Sequence, residues 1–73
     1  MSMSEETRGM DATQAILYEL YCKEVVEYSD WNLARSIERF KQEVAQNPND
    51  SYILAVLKVA QAEWLRRYPA KQE

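Results

Sequence analysis

A chain of 73 residues with 47% hydrophobic residues, one glycine, two prolines and no histidine holds at most one domain, burying about 60–65% of the surface it exposes when unfolded. This composition excludes a disordered chain and a β-rich domain, which needs turn residues at short intervals. With 12 acids against 9 bases and a net charge of −3, it argues against a nucleic acid as direct partner, because that affinity comes largely from clustered Lys and Arg on phosphates.

Met1 to Met10 are small and polar, include the only glycine, Gly9, and show no apolar period, so residues 1–10 read as a flexible arm without the pattern of a signal peptide. Asp11 then starts a helix, with Gln14 three residues on in a capping-box relation. The first helix is expected from Ala12 to Tyr28. Its apolar positions Leu17, Leu20, Tyr21, Val25 and Tyr28 recur at threes and fours, which places them on one face of a 3.6-residue period and predicts that this face is core. Ile16, Tyr18, Cys22 and Val26 widen the apolar arc, and Gln14, Glu19, Lys23, Glu24 and Glu27 are left for solvent, with Glu19 and Lys23 as an i,i+4 pair. Cys22 is the single cysteine. With no internal partner it reads as a packed thiol in a reducing cytoplasm.

Ser29 and Asp30 are both good N-caps and split what would otherwise read as one long helix. In the second helix Leu33, Ile37, Phe40 and Val44 make a narrow seam, with Arg35, Glu38, Arg39, Gln42 and Glu43 outside. From Asp11 to Asp30 the chain carries Asp11, Glu19, Glu24, Glu27 and Asp30 against Lys23 alone, whereas Trp31 to Gln46 carries Arg35, Arg39 and Lys41 against Glu38 and Glu43. An acidic first helix points to a basic protein surface as partner.

Asn47-Pro48-Asn49-Asp50 is a turn ending in the next N-cap, and the third helix is expected from Ser51 to Tyr68, stopped by Pro69. It carries two apolar rows: Ile53, Val56, Leu57, Ala60 and Trp64 in one, and Leu54, Gln61, Leu65 and Tyr68 in the other, broken by Lys58. Both cannot face one small core. Its longest nearly apolar stretch, Tyr52 to Val59, is far shorter than the roughly 20 residues that span a bilayer. The expected architecture is all-α, a compact three-helix bundle over residues 11–69 in which the first and third helices flank the second, with a tail at 70–73.

Without histidine the commonest general base, the usual zinc ligand and any Ser-His or Cys-His nucleophile are missing together. Glu24 and Glu27 lack the Glu-x-x-His partners of a di-iron bundle, and Gly9 alone makes no phosphate loop. A helix-turn-helix reading would put Tyr52, Ile53 and Leu54 where base contacts are wanted. These observations predict no enzyme, no cofactor and no metal.

Eight aromatics (Tyr18, Tyr21, Tyr28, Trp31, Phe40, Tyr52, Trp64 and Tyr68) exceed what one seam between three short helices hides, and Tyr and Trp are the residues most enriched at binding hot spots. The expected partner-binding stripe joins Asp11, Gln14 and Tyr18 of the first helix to Leu54, Lys58, Gln61 and Leu65 of the third, with the apolar centre and polar rim of a non-obligate interface. Met3, Ser4, Glu5 and Arg8 of the arm are expected to order on contact as a second binding element.

In overall length, in the loose head Met1 to Met10 and in the helices marked by Asp11, Asp30 and Asp50, the chain resembles the very small RNA-polymerase-binding transcription regulators of lytic Xanthomonas phages. The resemblance implies a monomeric regulator in the cytoplasm of a bacterial host. Such a protein grips RNA polymerase near the β′ N-terminal region and the β flap, inhibits initiation by disturbing the sigma-bound holoenzyme, and suppresses intrinsic termination. No site residues are carried over from it. Two alternatives come from other likenesses. Ala60-Gln61-Ala62-Glu63-Trp64 is similar to the Ser-Gln-Glu-Leu-Asp signature of small sporulation response-regulator phosphatases, sharing its glutamine but with Trp64 at the aspartate position. The layout also resembles Hha-like nucleoid-associated adaptors, and a homo-oligomeric helical module is the structural alternative.

Overall fold

The computed structural model describes residues 9–69, so the expected arm contacts Met3, Ser4, Glu5 and Arg8 and the 70–73 tail lie outside the described residues. The chain is all-α: α1 spans Ala12–Glu24, a 3₁₀ turn spans Val25–Glu27, α2 spans Asp30–Gln46 and α3 spans Ser51–Arg67.

Each helix begins where its polar residue can satisfy orphan amides. The Gln14 amide donates to Asp11 Oδ1 at 2.7 Å and the Asp11 amide donates to Gln14 Oε1 at 3.3 Å, the reciprocal box expected from the spacing. Ser29 Oγ accepts from the Asn32 amide at 3.2 Å at the start of α2. Asp50 Oδ1 accepts from both Tyr52 and Ile53 amides, at 3.0 and 3.2 Å, at the start of α3. Gly9 adopts φ +90, and a Cβ there would sit 2.8 Å from Ser51 Oγ. The entry to α1 therefore lies against the entry to α3, and the two helices run parallel.

The first helix is shorter than its periodicity predicts. Two consecutive β-branched residues, Val25 and Val26, weaken helix continuation, the backbone tightens into the 3₁₀ turn, and Tyr28 leaves it extended at φ −67, ψ 142 to reach the Ser29 cap. The sharp corner that follows changes the layout: α3, not α2, is the central helix, packing along α2 and along α1. Side chains of α1 and α2 meet through the edge-on contact of Tyr21 with Phe40, centroids 5.7 Å apart, with Tyr28 edge-on to Tyr21 at 5.8 Å.

The core is narrow. Val25, Leu33 and Ala60 form its centre, with Tyr21, Tyr28, Ile37, Phe40, Val59 and Trp64 packed around them, and Ile53, Ala55 and Val56 are buried along α3. The second-helix seam and the first apolar row of α3 thus face inward as expected. The first-helix face divides: Tyr21, Val25 and Tyr28 join the core as expected, whereas Leu17 and Leu20 are 45% and 46% exposed and neighbouring Ile16 61%. With α1 touching only one side of α3, the bundle offers no second wall to cover them.

Candidate protein-binding surface

The second row of α3 is the outward one. Leu54, Lys58, Gln61 and Leu65, spaced four, three and four, fall on one helical face, and all four are exposed. The first-helix half of the expected stripe differs. Gln14 and Tyr18 share the spacing of Tyr21 and buried Val25 and are half-buried on the packing side of α1, while exposed Asp11 is occupied in the capping box. The structure therefore separates the stripe into an open row on α3 and a packed row on α1.

The open row continues into a groove between α2 and α3. Ala34, Ile37, Glu38 and Lys41 form one wall and Gln61, Trp64 and Leu65 the other, enclosing about 440 Å³. Its lining is mostly apolar and carries one acid, Glu38, and one base, Lys41. Beyond it Trp31 is 66% exposed, with the Arg35 guanidinium 4.8 Å from its ring centroid. That is a cation–π contact of the kind common at binding surfaces.

Behind this surface lies a polar lock that sequence reading missed. The Glu63 side chain, 5% exposed, accepts from Arg66 at 3.0 and 2.6 Å and from Arg67 Nε at 2.7 Å. Those two guanidiniums hold its carboxyl down to about 2. Arg67 also donates from Nη1 to Asp30 Oδ1 at 2.8 Å and from Nη2 to the Val25 and Val26 carbonyls, each at 3.3 Å. The Tyr68 hydroxyl donates to Asp30 as well, and these two donors lower the Asp30 carboxyl. One arginine thus ties the end of α3 to the carbonyls left open where α1 stops and to the first turn of α2. The spacing of Glu63 to Arg66 and Arg67 was the available signal; the reach to Asp30 and the 3₁₀ turn depends on tertiary placement.

Tyr21 is the opposite case. Its hydroxyl is buried with no hydrogen-bond partner of proper geometry among the described residues, and burial pushes its ionisation up to about 12, only partly offset by nearby Ser36. Cys22 is a half-buried free thiol. The expected Glu19–Lys23 pair is not among the ion pairs of the described residues; Arg39 and Glu43, 3.3 Å apart, form the surface i,i+4 pair instead.

Among the described residues no three His, Cys, Asp or Glu side chains gather as a metal site, and no helix is long and apolar enough to cross a membrane. No family model, curated protein or solved structure matches the chain.

Proposed function

We propose that this chain is a protein-binding transcription regulator whose contact surface is the outer row of α3 and the adjoining α2–α3 groove, and whose partner is bacterial RNA polymerase. The observation that carries the binding half of this reading is the open row Leu54, Lys58, Gln61 and Leu65, with Leu54 39% and Leu65 52% exposed, running beside a groove whose lining includes Ile37 and Trp64. A helix offering anchors at this spacing suits a groove or another helix on a partner. The groove takes an apolar side chain in return.

The polymerase half rests on the resemblance in length, head and helix-start positions. On that reading the α3 surface holds the regulator near the β′ N-terminal region and the β flap, where it disturbs the sigma-bound holoenzyme at initiation and suppresses intrinsic termination. The test is binding to purified bacterial RNA polymerase holoenzyme by the wild type beside Leu65→Ala and Lys58→Glu, with helicity checked by circular dichroism. Both substitutions are at exposed positions, so folding is retained and binding is expected to weaken by about tenfold or more, the loss typical of a hot-spot truncation. Wild-type protein that does not bind the holoenzyme refutes the polymerase assignment, and folded variants that bind as tightly as wild type refute the surface.

A further inference from the structure

We propose that the outer face of α1 is a second docking surface, separate from the α3 row, and that it seats a basic amphipathic helix of a partner protein. Isolated exposed leucines are ordinary on a protein surface, whereas a contiguous apolar patch is not. Ile16, Leu17 and Leu20 stand at i, i+1 and i+4, adjacent on one side of the helix, with 61%, 45% and 46% of their surface open. The patch flanks Tyr21, which packs on the core together with Val25 of the 3₁₀ turn, and its own three side chains stay open beside that contact.

Size and charge identify the occupant. Three aliphatic side chains over little more than one turn fall well short of the roughly 800 Å² per partner that a stable interface between two globular surfaces buries, but they match the anchor pattern by which one helix lies along another. The rim is acidic: Glu19, Glu24 and Glu27 are exposed and belong to none of the ion pairs of the described residues. Lys23 is the single base on α1. Glu24 sits at the C-terminal end of α1, where the backbone dipole disfavours negative charge, Glu27 closes the 3₁₀ turn that follows, and a cationic partner relieves both placements. A second copy of this face would instead bring three acids and one base against the same set, repulsion across the contact.

The probe is a synthetic amphipathic peptide of about five helical turns, with leucines on one face and lysines flanking them, compared with an analogue carrying glutamate in place of every lysine. Binding to the full chain is measured by fluorescence anisotropy at low and high salt, with sedimentation of the chain alone in parallel. The lysine peptide is expected to bind at least about tenfold tighter than the glutamate analogue, with affinity falling as salt rises. Leu17→Ser with Leu20→Ser, and separately Glu24→Lys with Glu27→Lys, are each expected to weaken it by about tenfold, with helicity unchanged, whereas Leu65→Ala leaves it unaltered and so separates this surface from the α3 row. Equal affinity for both peptides, indifference to either pair of substitutions, or a wild-type dimer that Leu20→Ser dissociates would overturn the proposal.

Discussion

Single residues in this chain divide sharply by what surrounds them. Leu33, fully enclosed between α2, α3 and the 3₁₀ turn, is expected to cost about 3 kcal/mol on truncation to alanine. Leu20→Ala, assigned to the same core by periodicity but 46% exposed, changes stability by less than about 1 kcal/mol; urea unfolding of the two variants measures both. Tyr21→Phe removes a buried hydroxyl that has no hydrogen-bond partner of proper geometry among the described residues and is expected to leave stability unchanged or raise it by up to about 1 kcal/mol, read in the same experiment. Glu63 supplies the pH dependence. Its carboxyl lies at about 2 in the folded chain against an ordinary 4.5, so its contribution is complete above about 4.5 and is lost as pH falls from there toward 2. Glu63→Gln flattens the acid limb of a stability-versus-pH curve in that window, whereas an unchanged limb means that Arg66 and Arg67 do not hold the carboxyl.

At the scale of elements, helix starts were legible because a cap is local. Asp11 with Gln14, Ser29 and Asp50 each act within three residues of themselves, and the sequence carries all the information that needs. Asp50→Ala, which releases two amides at once, is expected to cost about 1 kcal/mol, visible as a lowered midpoint in thermal or urea unfolding. The end of α1 was less legible, because an apolar period persists through Tyr28 while the backbone leaves the helix at Val25. The facing of α1 was illegible for a related reason. The apolar arc of that helix is wide, so spacing alone could not choose between Leu17 with Leu20 and Tyr21 with Val25. The choice was made by the corner at Ser29, which lets α1 lean on α3 without meeting α2 along its length. In α3 the two apolar rows were separable in advance, since Lys58 interrupts one and nothing interrupts the other. The outward facing of the Leu54, Lys58, Gln61 and Leu65 row was therefore anticipated; its continuation into the α2–α3 groove, where Ile37 and Lys41 line one side and Trp64 and Leu65 the other, was not.

The whole molecule is a thin core carrying more apolar surface than it hides. Leu33 and Val56 are the largest fully buried side chains of the described residues, while Ile16, Trp31, Leu65 and Tyr68 each expose half or more of their surface. A domain of this size gains little stability to spare from its core, and near one end Arg67 ties α3 to Asp30 of α2 and to the 3₁₀ turn that follows α1. The opposite ends of α1 and α3 meet at Gly9 and Ser51. What this leaves outward is organised: an α3 row beside a groove, and an aliphatic patch in an acidic rim on α1, two faces on different helices. Such a layout suits a small regulator that contacts a large assembly at more than one point, where linked contacts raise the effective affinity of each. The most direct test of the account is the affinity of wild type and Leu65→Ala for purified bacterial RNA polymerase holoenzyme, measured on protein shown to be equally helical. The account predicts a wild-type complex that Leu65→Ala weakens by about tenfold or more; no wild-type complex, or equal affinity of the two, would contradict it.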